Sequence, residues 1–103
     1  MDTNKLILEI FKINQRLDAI PYLGDYNIIL ARDKDGMMKY RAAFIDKGNV
    51  VGERVDNPED RIIVPLMDMG EWALMTYKHC LIDWVWRHSA EEDYKKFIES
   101  LEL

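Results

Sequence analysis

The chain contains very little cysteine, glycine and proline, and each shortage excludes a class of protein. A single cysteine, Cys80, excludes an intramolecular disulfide framework and fits a reducing compartment, so we expect a cytoplasmic location. The five glycines form no phosphate-binding cradle, and with only three prolines we find no low-complexity segment. At 49% apolar and 32% charged residues, the composition is typical of one globular domain, which we assign to residues 1–103.

Long hydrophobic runs and an excess of basic charge are also missing. The most apolar segment, residues 72–86, is too short to cross a bilayer and contains Lys78 and Asp83, so we expect no membrane association. The formal net charge is −5, and residues 49–103 carry six Lys/Arg against twelve Asp/Glu. This acidic half repels phosphate groups, so we expect no direct contact with nucleic acid.

Hydrophobic periodicity predicts an α+β fold. Residues from about Asn4 to Ile20 repeat apolar side chains at helical spacing, and Pro21 then ends the helix. Alternating residues predict three strands at about 26–31, 38–45 and 50–55, separated by turns at 33–36 and 46–49, with Gly52 indicating a bulge. A fourth strand at 61–66 would lie at an edge or end at Pro65. Two further helices are predicted at 69–88 and 90–101, each begun by a capping box, Asp68 with Glu71 and Ser89 with Glu92.

This order predicts a two-layer arrangement. An N-terminal helix and two C-terminal helices would pack on one face of an antiparallel meander of three to four strands. We expect that face to carry the residues Tyr26, Ile28, Leu30, Tyr40 and Phe44. The opposite face, with Lys39 and Arg41, would be at least partly exposed to solvent.

The segment 72–86 is the most distinctive part of the chain, because eleven of its fifteen residues are apolar and it contains all three tryptophans. A helix at 100° per residue places one apolar stripe toward the core, formed by Ala73, Leu74, Tyr77, Leu81, Trp84, Val85 and His88. A second stripe contains Met75, His79, Ile82 and Trp86, with the 4-3-4 spacing of a coiled-coil seam.

This second stripe needs a partner, and the sequence leaves two interpretations open. The final helix can fold back after Ser89 and cover the stripe, since short connections favour antiparallel neighbours. Alternatively, Met75, His79, Ile82 and Trp86 form an interface, either with a second copy of the chain or with another protein. Tryptophan and methionine are enriched in interface cores, which favours the second interpretation.

The residue types that carry catalysis do not form a recognisable pattern. His79 and Asp83 are four residues apart on a helix, but a stable metal site needs further ligands. Cys80 follows His79 directly, and helix neighbours diverge by 100°, so they do not form a nucleophile and base. We therefore predict no catalytic residue, no metal and no cofactor.

The sequence thus favours a small, non-enzymatic protein-interaction module that self-associates. Its acidic C-terminal half allows a sharper version, an inhibitor or adaptor that covers a basic surface of a nucleic-acid-handling protein. The alternative is a small-molecule-binding regulatory domain, with an aromatic pocket between sheet and helices lined by Tyr40, Phe44 and Trp84.

Overall fold

The computed structural model describes residues 3–15 and 20–101, with the side chain of Leu101 left aside. Within them the helices are α1 (Thr3–Gln15), α2 (Glu71–His88) and α3 (Glu91–Leu101), and the strands are β1 (Ile29–Arg32), β2 (Met38–Asp46), β3 (Asn49–Arg54) and β4 (Asn57–Pro65). The strands form one antiparallel sheet in the order β1-β2-β3-β4. The predicted α+β class and order of elements are confirmed.

The chain divides into two compact units. The helical unit lies within Met1–Ala19 and Gly70–Leu103, and the sheet unit is Ile20–Met69. The placing of the helices on one sheet face, and the assignment of residues 1–103 to one domain, stay predictions.

The apolar stripe of α1 is confirmed over the described residues. Leu6, Ile10 and Ile13 are buried at the predicted spacing, whereas Leu17 lies outside the described residues. The expected helical Ile20 is wrong, since it lies outside the helix and is 56% exposed. The residue before a proline is disfavoured in helical conformation, and Pro21 follows Ile20 directly.

The core face of α2 is confirmed at four of its seven positions, since Leu74, Tyr77, Leu81 and Val85 are buried and α2 packs against α1. Ala73 and Trp84 are half-buried, and the assignment of His88 to the core face is wrong, because this last residue of α2 is exposed. The Nζ atom of Lys78 on α2 lies 2.5 Å from the buried Oε2 atom of Glu9. This ion pair compensates the charge of the buried carboxylate oxygen.

Neither predicted capping box forms at the start of the C-terminal helices. The first helical hydrogen bond of α2 runs from Leu74 N–H to Gly70 O, so Gly70 is the N-cap, with no capping side chain. Asp68 instead belongs to a short 3-10 turn, Leu66–Asp68. The first bond of α3 similarly runs from Tyr94 N–H to Ala90 O. The spacing of the capping motif is present, but each helix begins later than the motif predicts.

The first strand begins later than its alternating pattern predicts. Gly24–Tyr26 forms a 3-10 turn, and Asn27 follows it with a positive φ of 53°. An Asn in this left-handed conformation breaks the extended chain, so β1 begins only at Ile29.

Both predicted hairpin turns are confirmed. At the first, Asp33 Oδ1 accepts hydrogen bonds from the backbone N–H groups of Asp35 and Met37, and Gly36 has φ +80°. At the second, Asp46 pairs with Asn49 around Lys47 and Gly48, which have φ values of +49° and +80°. Two positive φ values are what a two-residue type I′ hairpin requires.

A bulge in β2 determines which side chains share a sheet face. Ala42 pairs with Gly52 and Phe44 with Val51, so Ala43 is an extra residue. Before the bulge Tyr40 and Ala42 are buried, and after it the buried position is Ile45 rather than Phe44. The expectation that Tyr40 and Phe44 share a face is therefore wrong, since an extra residue reverses the alternation.

The bulge predicted at Gly52 is also wrong, because Gly52 pairs in register with Ala42 and Ile62. A Cβ atom there would lie 2.6 Å from Leu30 Cδ2 and 3.1 Å from Ile62 Cγ1. Gly52 therefore permits close packing across three strands.

The fourth strand is longer than predicted, and it is the edge strand that Pro65 indicated. It begins at Asn57, and the register shifts between the pairs Arg54–Asn57 and Glu53–Arg61. Residues 58–60 form the irregular first part of this strand.

We predict that Gly48→Ala lowers the free energy of unfolding by about 1–2 kcal/mol, because a side chain at positive φ is strained. Lys47→Gly is the matched control, since Lys47 already bears this strain. We expect it within about 0.5 kcal/mol of wild type, because relief of strain offsets the entropy gained by the unfolded chain. Urea unfolding measures both, and equal losses in the two variants would contradict the assigned turn.

Candidate functional site

A shallow groove between α2 and α3 contains three of the four residues predicted for the second stripe. It is lined by His79, Ile82, Asp83, Trp86 and Tyr94 and encloses about 420 Å³. All five residues belong to the helical unit. Met75, half-buried one turn before His79 on α2, is not among the described residues that line it.

Tyr94 of α3 holds the side chain of Trp86. The two rings meet edge to face, with centroids 4.9 Å apart and an interplanar angle of 69°. Edge-to-face packing of this kind fixes the orientation of both rings. Trp86 nevertheless remains 53% exposed. The final helix thus covers part of the second stripe and leaves one side of Trp86 open.

One acidic residue lines this groove, and three more are close in sequence to Tyr94. Asp83 lines it and pairs with Arg87, its Oδ2 atom 3.0 Å from Nε. The first turn of α3, which precedes Tyr94, contains Glu91, Glu92 and Asp93. Carboxylates at a helix N-terminus are stabilised by the helix dipole. The acidic first turn therefore stabilises α3, and it places negative charge directly before Tyr94 in the sequence.

Cys80 does not have the environment of a reactive thiol. It is half-buried, and its pKa is raised above the ordinary value, mainly by burial and then by the negative charge of Asp83. A raised pKa keeps the thiol protonated near neutral pH, and the protonated form is a poor nucleophile.

The three aromatic residues of the predicted alternative pocket are each engaged differently. Tyr40, in the sheet unit, donates a hydrogen bond from its hydroxyl to Asp60 Oδ2 at 3.0 Å. Phe44 lies on the other sheet face, where the guanidinium of Arg61 is 5.7 Å from its ring centroid. Trp84, in the helical unit, stacks on His88 with centroids 4.0 Å apart.

Sequence reasoning missed a polar cluster in the sheet unit. Arg54 pairs with Asp56 at 2.7 Å and with Asp60 at 3.4 Å, and Asp60 also accepts the Tyr40 hydroxyl. The pKa of Tyr40 is raised, first by burial and then by this hydrogen bond. An adjoining hollow of about 320 Å³ is lined by Asp33, Met38, Lys39, Arg54, Val55 and Asp56. The cluster combines two separate segments, 33–40 and 54–60, which the pairing of β2 with β3 brings together.

The other side chains that could bind a metal or take part in catalysis do not form a site among the described residues. Among the residues that the structure describes, no three His, Cys, Asp or Glu side chains come close enough to hold a metal ion. His79 is exposed and shares the groove with Asp83. Over the same residues, no helix combines the length and apolarity needed to cross a bilayer.

Tyr77, on the buried face of α2, predicts a specific dependence of stability on pH. Burial, with a smaller effect of Cys80, raises its pKa to about 12. In the unfolded chain the phenol ionises at about pH 10. Between these values the unfolded state binds fewer protons than the native state, so the free energy of unfolding falls as pH rises, by about 1.4 kcal/mol per pH unit.

We predict that Tyr77→Phe flattens this fall between about pH 10 and pH 12 relative to wild type. Tyr22→Phe is the control, because Tyr22 is 41% exposed. Urea unfolding across this pH range tests the difference. Parallel curves for wild type and Tyr77→Phe would show that the buried phenol does not control the alkaline limit.

No protein-family model, curated protein sequence or solved structure matches this chain. Its function is therefore inferred from its own residues.

Proposed function

We propose that the protein is a non-enzymatic protein-interaction module whose binding surface is the groove between α2 and α3. The observation that carries this proposal is Trp86, which is 53% exposed and yet held edge-on by Tyr94. Tryptophan and tyrosine are enriched among the residues that dominate binding energy at protein interfaces. Because Trp86 is both held by Tyr94 and partly exposed beside Ile82, the groove offers an ordered apolar surface that a partner can cover.

The packing of Trp86 against Tyr94 favours binding because it lowers the entropy cost of ordering the Trp86 side chain when a partner binds. An interface side chain that is mobile in the free protein loses conformational entropy on binding. Trp86 is already oriented by Tyr94 at a centroid distance of 4.9 Å, so this loss is reduced. Ile82 supplies a neighbouring apolar contact in the groove.

Charge favours a basic partner. Asp83 lines the groove, and Glu91, Glu92 and Asp93 form the first turn of α3. Across residues 49–103 Asp and Glu outnumber Lys and Arg by twelve to six. We therefore propose an amphipathic, Lys- or Arg-rich segment of another protein as the occupant, with an apolar side chain against Trp86. The protein would act in the cytoplasm as an acidic inhibitor or adaptor, and basic segments of this kind are common in proteins that handle nucleic acid.

A second copy of α2 is a less suitable occupant of this groove. An antiparallel pair of α2 helices would have to lie along Ile82 and Trp86, where Tyr94 of α3 already contacts Trp86. A single helix or extended segment can instead lie between α2 and α3. We therefore assign this surface to a different protein.

The test begins with a photo-crosslinking amino acid at position 79, whose side chain is exposed at the groove. The captured protein is identified, purified and titrated against wild type and two variants. We expect Trp86→Ala to weaken binding by about 2 kcal/mol, roughly thirtyfold. The matched control is Trp72→Ala, because Trp72 lies on the same helix and is 85% exposed but does not line the groove.

Salt and thermal melting complete the test. A basic partner should bind less tightly as ionic strength rises, since charges near the surface are screened. Thermal melting of Trp86→Ala excludes loss of fold as the cause. Equal affinity of wild type and Trp86→Ala, or equal losses in the two tryptophan variants, would contradict the proposal.

A further inference from the structure

The outer strand β4 presents part of its backbone away from the sheet. Along each strand, the backbone groups of successive residues are directed alternately toward one neighbouring strand and away from it. Two hydrogen bonds show which residues are directed which way: Leu66 N–H to Gly48 O at 3.0 Å and Val55 N–H to Lys39 O at 3.0 Å. With the pairs Val50–Val64 and Gly52–Ile62, they direct the backbone groups of Ile62 and Val64 toward β3. The backbone groups of Arg61 and Ile63 are therefore directed outward, where the described sheet has no further strand.

The free part of this edge is short and well defined. Toward the N-terminus, Glu59 N–H already bonds to Asn57 Oδ1 at 3.3 Å. Toward the C-terminus, Pro65 has a carbonyl but no N–H, so it can accept but not donate. Both N–H and C=O are therefore offered outward at Arg61 and Ile63. Ile63 is also 66% exposed, which is unusual for a β-branched residue in the middle of a strand.

We propose that a second copy of the chain adds to this edge, with the two β4 strands antiparallel and a two-fold axis at Ile63. Ile63 then faces its own counterpart, and Arg61 N–H donates to the Pro65 carbonyl of the second copy. The pair makes about four backbone hydrogen bonds, and Pro65 accepts without needing a donor. Ile62 faces Val64 of the second copy, so two half-buried apolar side chains meet.

The side chains that meet across the axis favour this register over its neighbours. A two-fold axis at Arg61 would place two guanidinium groups directly opposite each other, which is destabilising. An axis at Ile62 would place Arg61 opposite Ile63 and Asp60 opposite Val64, so that only Ile62 would face an apolar side chain. The axis at Ile63 keeps the guanidinium groups apart, with Arg61 opposite Pro65, and pairs Ile62, Ile63 and Val64 with apolar side chains.

This edge belongs to the sheet unit and the groove to the helical unit, so the inference goes beyond the proposed function and does not depend on it. A dimer formed this way would present the groove twice. Two linked binding sites raise the effective concentration of a partner that carries repeated basic segments.

The experiment measures solution mass by size exclusion with light scattering over a concentration series, for wild type, Ile63→Lys and Ile63→Glu. We expect a wild-type dimer and two monomeric variants, because like charges would meet at the axis. An equimolar mixture of the variants should recover the dimer mass, since Lys then faces Glu. Met67→Lys is the matched control, because Met67 is 83% exposed and lies outside β4, and it should remain dimeric.

Each other result overturns the proposal. A wild-type monomer at every concentration excludes the dimer, and a dimer that survives both substitutions lies on another surface. If Ile63→Glu alone stays dimeric, the introduced carboxylate pairs with Arg61 of the second copy and the axis is at Ile62.

Circular dichroism melting confirms that each variant is folded. Ile63→Pro gives a second test, since it removes an outward N–H without removing a bond to β3. Binding of the groove partner should be unchanged at low protein concentration in Ile63→Lys, so failure of the dimer is distinguishable from failure of the proposed function.

Discussion

The helical unit depends on one constraint, which is that α2 has more apolar surface than one neighbouring helix can cover. Its first stripe is buried at Leu74, Tyr77, Leu81 and Val85, and α2 packs against α1. Its second stripe meets α3, which is rich in charge and brings only one ring, Tyr94, to Trp86. Because that ring covers only one side of the indole, an open groove remains. The candidate binding surface is therefore a consequence of how little of the second stripe α3 covers.

The sheet unit depends on a comparable constraint at a single residue. Ala43 is the extra residue of β2, and every side chain after it changes face relative to a regular strand. Ile45 is buried as a result, whereas Phe44 lies beside Arg61. Gly52, on the neighbouring strand, allows Leu30 and Ile62 to pack closely over the backbone. Two small residues, Ala43 and Gly52, thus decide which side chains of the sheet share a face and how closely they pack.

The local features of this fold could be predicted from the sequence because their causes are local. The buried positions of α1 and α2 follow from a 3.6-residue period, and the turns at 33–36 and 46–49 follow from Asp, Asn and Gly at fixed positions. Pro65 indicated an edge strand for the same reason, since a missing N–H cannot serve a central strand. The groove residues His79, Ile82 and Trp86 were found by spacing alone.

Other features depend on tertiary structure because distant residues decide them. The hydrogen-bonded register of β2 against β3 places the bulge at Ala43, and no residue within β2 reveals it. The packing of α3 on α2 decides that Tyr94 holds Trp86 and that Met75 does not line the groove. Strand pairing likewise assembles Tyr40, Arg54 and Asp60. The sequence by itself determined the helices, the turns and the apolar stripes, whereas tertiary structure decided which stripe is covered and which backbone edge is free, since covering a surface requires a second element at the right place.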